Sequence, residues 1–190
     1  MKIVCQKSEL LKSVNIVMKA VPSKTTMPIL ECILINASGS EIKFTANDME
    51  LGIETIVEGE IQEKGTIAID ARLFSEIIRK LPDNEVVIKT DDKYQASITC
   101  EKAKFSISGK QSDDYPYLPF VEKDNSICIS QFTLKEVIKQ TIFSIAQNEN
   151  NRMMTGELFE INENILKVVS LDGHRISIRK IELKENYEHR

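Results

Sequence analysis

The segment "SLDGHRISI", residues 170 to 178, sets Asp172, Gly173, His174 and Arg175 side by side between two apolar runs. A carboxylate, an imidazole and a guanidinium around a flexible joint could move a proton. They could equally form a polar turn with a ligand seated beside it. The other histidine, His189, is next to last in the chain, so serine–histidine or cysteine–histidine catalysis would rest on His174 alone. Asp172 is only two residues away, whereas a catalytic triad draws its members from separate elements. The adjacent carboxylates Asp91–Asp92 and Asp113–Asp114 fall between strand-like runs and read as turn chemistry. Cys5, Cys32, Cys100 and Cys128 lie far apart, each in an apolar or alternating run, with no C-x-x-C pair. They read as free, buried thiols of a reducing compartment, not as zinc ligands. None of GxxxxGK[ST], GxGxxG after a strand, HExxH or GxSxG occurs. No catalytic residue, metal or cofactor is expected.

The elements that must position these residues follow from periodicity. "SELLKSVNIVMKA" carries Leu10, Leu11, Val14, Val17 and Met18 on one helical face, with Ser8 as its expected cap. "DARLFSEIIRKLP" carries Leu73, Phe74, Ile77, Ile78 and Leu81, starts at Asp70 and stops at Pro82. "TLKEVIKQTIFSIA" opens on Thr133 and Glu136, which match a capping box. Nearly everything else alternates as short strands. They run from "ECILINAS", "EIKFTAN" and "LGIETIVEGEI" to "SICIS", "GELFEIN", "ILKVVSL" and "RISIRKIEL", with turns at 37–41, 90–93 and 162–164. The fold class is α+β, built of repeated β-α-β-β-β units. With 42% apolar residues the chain can bury a core, and no apolar run is long enough to span a membrane. The N-terminus turns polar too soon for a signal peptide, so the expected compartment is cytoplasmic.

An internal repeat organises these elements. Ile3 to Asp48 and Ile127 to Asp172 span the same interval, and at an offset of 124 Leu10 meets Leu134, Val14 meets Ile138 and Phe44 meets Val168. "FTANDMEL" thus occupies the place of "VVSLDGHR". The first copy runs through two β-α-β-β-β units, and the link "SDDYPYLPF" (112–120) reads as a domain joint. Residues 1–120 are expected to form one complete domain and 121–190 the first half of a second. A half domain would leave an open sheet edge and an uncovered apolar face.

Charge is distributed unevenly. The helical segments 9–20, 71–81 and 133–146 carry seven basic and three acidic residues, within a chain of net charge -4. Solvated helix faces often carry lysine and arginine. If repeated units are arranged alike, however, their faces add up to one basic surface suited to a polyanion. Lacking stacking aromatics, such a surface would touch phosphates without reading sequence.

"TTMPILECILI", "FTANDMELGIET", "DARLFSEIIRKLP", "SDDYPYLP", "TGELFEIN" and "SLDGHRISI", in this order and spacing, resemble the bacterial DNA polymerase III β subunit, the sliding clamp. The resemblance covers essentially the whole chain. It implies the DNA clamp fold, with helices on one face of antiparallel sheets, and three similar domains, of which the third is absent here. It further implies a non-catalytic processivity factor of DNA replication whose homodimer rings duplex DNA in full-length form. Ring closure is not expected of this fragment. The implied partners are the DNA polymerase III catalytic subunit, the clamp loader and other proteins bearing a clamp-binding motif. The resemblance places DNA contacts at Lys24, Gln147, Asn148 and Arg152, with Arg72 and Arg79 as further contacts on the second helix. It places a partner-peptide pocket at Met154, Leu171, Gly173, His174, Arg175 and Ile176, where Leu171 stands at a position often threonine in relatives. The alternative reading is a standalone peptide-binding scaffold without DNA binding.

Overall fold

Alternating apolar residues pair into strands as their periodicity requires. A computed structural model describes residues 1–119, 126–147 and 152–188, and for Arg152 the backbone only. The chain divides into two units, Met1–Phe120 and Val121–Arg190. In the first, β1 (Lys2–Gln6) leads into α1 (Lys7–Val17). Four strands follow: β2 (Cys32–Asn36), β3 (Ile42–Asn47), β4 (Gly52–Val57) and β5 (Glu60–Glu63). Then come β6 (Thr66–Asp70), α2 (Ala71–Lys80), β7 (Glu85–Thr90), β8 (Gln95–Cys100) and β9 (Ala103–Lys110). The strands form one antiparallel sheet in the order β4-β3-β2-β6-β9-β8-β7-β1-β5.

The single strand expected over "LGIETIVEGEI" is two. β4 and β5 are joined by Glu58 and Gly59 alone, yet they stand at opposite ends of the sheet order. The sheet therefore curls until a two-residue corner spans its ends. Gly59 makes that corner possible: a Cβ there would lie 2.4 Å from Cys5 Sγ and 2.6 Å from the Val4 carbonyl oxygen.

Both helices pack their apolar faces onto this sheet. Leu10, Val14 and Val17 of α1 and Phe74 and Ile78 of α2 are fully buried. Phe74 meets Phe44 of β3 edge-on, with ring centroids 6.0 Å apart. Asp70 caps α2 as its sequence predicts, its carboxylate accepting the Leu73 N–H at 2.8 Å. Leu73 itself departs from the expected stripe. It is 45% exposed, and Ser75 is buried instead. The cap expected at Ser8 is also displaced. α1 begins at Lys7, behind Gln6, and the Lys7 N–H is satisfied by the Asn84 carbonyl at 3.0 Å. Tyr115, expected in a domain joint, is buried against Cys32, Leu34 and Ala68, and its hydroxyl donates to the Cys32 carbonyl at 3.2 Å. The start of the link therefore belongs to the first unit's core.

The second unit holds α3 (Gln131–Thr141), β10 (Leu158–Leu171) and β11 (Ile176–Tyr187). Ser130, not Thr133, caps α3 by accepting the Thr133 N–H at 3.0 Å. "SICIS" forms no strand. Its equivalent β1 is held by β7 and β5, whereas the described residues of the second unit contain one copy of the repeat. Ile127 and Ile129 still pack against Val137, Leu166 and Val168. β10 folds back on itself at Glu163, which has a φ of +53°. Lys167 Nζ lies 2.8 Å from Glu160 Oε2, although seven residues of straight strand would span about 23 Å. The same register pairs Asn36 with Lys43 in the first unit.

The repeat holds to the residue. α1 and α3, the 3-10 turns Met18–Ala20 and Ile142–Ser144, the 3-10 turns Pro28–Glu31 and Arg152–Thr155, and the starts of β4 and β11 all differ by 124. Of the cysteines, Cys5, Cys32 and Cys100 are buried as expected, and Cys128 is exposed, contrary to expectation. Burial pushes the Cys5 thiol up to about 12.

Candidate functional site

Two sets of functional side chains were expected, one basic and one apolar. The basic set begins on α2, where Arg72 and Arg79 are seven residues apart and so share one face after two turns. Both are exposed. Arg72 Nη2 donates to the Ser23 carbonyl at 3.1 Å, and Arg79 Nη2 donates to Asn15 Oδ1 of α1 at 3.2 Å. Each guanidinium has further N–H groups to offer. The two bonds lean both arginines across α1 and its following loop, and bring Arg72 beside Lys24, which is exposed on that loop. On the same helix Lys12 pairs with Glu9 at 3.5 Å in an exposed contact that adds little stability. Asn15 and Ser23 were missed by the sequence reading. Their bonds span 64 and 49 residues, and no local pattern marks them. Gln147 is exposed at the end of a described segment. Asn148 and the side chain of Arg152 lie outside the described residues.

The apolar set is organised by an aspartate. Asp172 Oδ1 accepts the backbone N–H groups of His174 and Arg175, each at 3.0 Å. Its Oδ2 accepts Arg175 Nε at 2.9 Å, and Gly173 supplies the left-handed φ of +87° that the turn requires. The His174 N–H, followed by the Arg175 N–H and guanidinium, holds the Asp172 carboxyl below its ordinary 3.8. Asp172 is thereby spent on its own turn, and no triad forms. His174 is exposed.

The turn joins the ends of β10 and β11, where Leu171 pairs with Ile176 and Val169 with Ile178. Side chains directly paired across an antiparallel ladder share a face, so these four make one apolar patch. Ile176 is 59% and Ile178 53% exposed. Val169 and Ile178 were not singled out from sequence, although the two-residue alternation through Leu171 and Ile176 marks them. Met154 sits on the 3-10 turn that leads into β10, and its carbonyl accepts the Ala146 N–H at 2.8 Å. Two residues before Ala146, the Ser144 hydroxyl lies 2.6 Å from Ser177 Oγ of β11, which ties this region to the strand that follows the turn.

Among the described residues no helix is long and apolar enough to cross a membrane, and no group of three His, Cys, Asp or Glu side chains could hold a metal ion.

Comparison with known proteins agrees with this architecture. Residues 1–119 match the DNA polymerase III beta subunit N-terminal domain, and residues 128–190 match its central domain. The beta sliding clamp of Bacillus subtilis is 38% identical over 191 residues, covering 96% of this chain and 50% of that protein. The crystal structure of the Bacillus subtilis DNA polymerase sliding clamp superposes with a TM-score of 0.92 at 36% identity, over 97% of this chain and 50% of that one. A candidate DNA polymerase III beta subunit from Eubacterium rectale is 67% identical, with a TM-score of 0.96 over 100% of this chain and 52% of that one. The chain thus spans about half the length of the relatives it matches. Two consecutive domain matches, the clamp fold and the repeat-built sheet place this chain in the DNA polymerase III β subunit family, the bacterial β sliding clamps.

Proposed function

We propose that the chain is the N-terminal part of a non-catalytic processivity factor. Residues 1–120 form its first domain and 121–190 open its second. In full-length form two such chains close a ring around duplex DNA and tether the DNA polymerase III catalytic subunit, the clamp loader and other motif-bearing partners. The observation that carries this reading is the pair of arginines leaning from α2 across α1. They make a cationic strip on a chain whose net charge is -4. A strip of this kind attracts phosphates without reading bases. Its contacts, through Lys24, Arg72 and Arg79 and through Gln147, Asn148 and Arg152 in the second unit, are individually weak, which lets a ring slide. Met154, Leu171, Gly173, His174, Arg175 and Ile176 receive a partner's short peptide. The Leu171–Ile176 and Val169–Ile178 pairs, in which both isoleucines are exposed, support an apolar anchor there.

The test reverses Lys24, Arg72 and Arg79 to glutamate together and measures binding of a fluorescent duplex across a salt series. Three lost phosphate contacts at roughly 0.9 each flatten the slope of log K against log salt by about 2.7. The loss should be the same on duplexes of unrelated sequence. An unchanged slope removes the DNA-facing assignment and leaves the peptide-binding scaffold.

A further inference from the structure

The repeat carries the aspartate-anchored turn twice. Asp48 Oδ1 accepts the Glu50 and Leu51 N–H groups at 2.9 and 2.6 Å, and the Asp48 N–H donates to the Leu51 carbonyl at 3.0 Å. Asp172 makes the same three bonds, 124 residues on. At the left-handed position, where the second unit has Gly173 at φ +87°, the first has Met49 at φ +76°. The turn needs no side chain there, and a methionine carries a conformational penalty that glycine avoids. Met49 is nevertheless present and 61% exposed. A side chain kept at a strained position points to a use for that side chain.

Its surroundings supply one. Met49 borders a cleft of about 490 Å³ lined also by Lys24, Met27, Leu30 and Asp48. Leu30 is 2% exposed and forms the floor, while Met27 is 41% exposed at the rim. Leu30 is the repeat equivalent of Met154, and Asp48 of Asp172, so this cleft is the first unit's version of the site at 154–176. It differs in two ways. Gly52 stands where the second unit has Ile176, and Leu118 occupies that space, 2.1 Å from where a Gly52 Cβ would be. Pro22 stands where Ala146 donates to Met154, and proline has no N–H to donate. The loop bearing Met27 is fixed instead by Thr25 Oγ1, which accepts the Met27 N–H at 3.0 Å.

We infer that this cleft is a second peptide-docking site. Its occupant is a partner segment with one unbranched or aromatic apolar side chain and a carboxylate within a residue or two of it. The apolar group seats between Met27 and Met49 over Leu30, where flexible thioethers adapt to its shape. The carboxylate pairs with Lys24, which has no ion pair among the described residues. Asp48 lines the same cleft, but its Oδ1 is turned into its own backbone and no ion pair joins it to Lys24 among the described residues. The inference rests on the proposed reading of the 154–176 turn as a docking site and shares Lys24 with the proposed DNA strip, so peptide and duplex would compete for that side chain; the test below separates the two.

The 190-residue chain, labelled with carbon-13 on its six methionine methyls, is titrated with a hexapeptide. The peptide has a single central phenylalanine flanked by aspartates. Saturable shifts of the Met27 and Met49 methyls are expected, and none with a peptide whose phenylalanine is replaced by serine. Met49→Gly copies the second unit's turn and relieves the left-handed strain, so the fold is kept or strengthened. It should weaken the Met27 response by on the order of tenfold, the loss that goes with one buried methionine side chain. Lys24→Gln should weaken it for the aspartate-flanked peptide more than for an asparagine-flanked one. If only Met153 and Met154 respond, the second-unit site stands and the first-unit site is overturned. If no methyl responds to the peptide, or if Met27 and Met49 respond to duplex DNA instead, the inference is likewise overturned.

Discussion

Replacing Gly59 by alanine tests the corner that closes the first unit. The added Cβ would lie 2.4 Å from Cys5 Sγ, 2.6 Å from the Val4 oxygen and 3.1 Å from Ile42 Cδ1. Non-bonded heavy atoms settle about 3.5–4.0 Å apart, so the corner must lift by about 1 Å. The thiol can rotate, but the Val4 carbonyl cannot retreat: β1 is held by β7 on one side and β5 on the other. Overpacking of this kind costs about 1–3 kcal/mol, and a neighbour that does not yield favours the upper end. Alanine regains about 0.4–1 kcal/mol by restricting the unfolded chain, so the net loss is about 2 kcal/mol. With a urea slope of about 2 kcal/mol/M, the midpoint falls by about 1 M, read by circular dichroism. Cys5→Ala in the Gly59→Ala background should recover part of this loss and not all of it, because the Val4 oxygen remains. A Gly59→Ala midpoint within about 0.2 M of the parent would refute the corner as described. Complete recovery by Cys5→Ala would refute the backbone share of the clash.

Two further outcomes follow from single side chains. The Asp172 carboxyl is held below its ordinary 3.8 by its turn, so the stability it contributes is present above the unfolded value and lost as pH falls through the folded one. The His174 and Arg175 amide shifts should therefore titrate with a midpoint below the ordinary aspartate value, and Asp172→Asn should abolish that titration; a midpoint near neutrality would contradict the turn. Tyr115→Phe removes the hydroxyl bond to the Cys32 carbonyl and should cost about 1 kcal/mol, while Tyr115→Ala should cost about 3–5 kcal/mol. A urea midpoint unmoved by Tyr115→Ala would show that the link's start does not belong to the first unit.

What could be read from the sequence was what local chemistry fixes. Asp70 and Pro82 bound α2 because a cap and a stop act within one turn. Ser8 and Thr133 were placed too late along their helices. α1's start is set by the carbonyl of Asn84, far along the chain, and α3's by Ser130, just outside the assumed segment. The β4–β5 break was hidden because the strand-like pattern runs on through Glu58 and Gly59, and nothing local reports that the two strands close opposite edges. The arginine bonds to Ser23 and Asn15 are likewise products of α1 packing on α2. Sequence could propose Arg72 and Arg79 as contacts but could not supply the side chains that aim them.

The repeat explains why one motif in this chain looked like an active site and its equivalent did not. Both turns are fixed by an aspartate accepting two backbone N–H groups, so the carboxylate is architectural in each. What varies is what the turn presents: Met49, Glu50 and Leu51 in the first unit, Gly173, His174 and Arg175 in the second. A histidine and an arginine beside an aspartate suggest proton transfer only while the aspartate is free to take part. Once its oxygens are committed to the turn, the imidazole has no orienting partner there, and the residues beside it form surface. Met49 is the opposite case. Nothing in a methionine suggests chemistry, yet it holds a backbone position that its counterpart gives to glycine. The architecture explains the aspartates in both turns, and it leaves Met49 to be explained by what binds beside it.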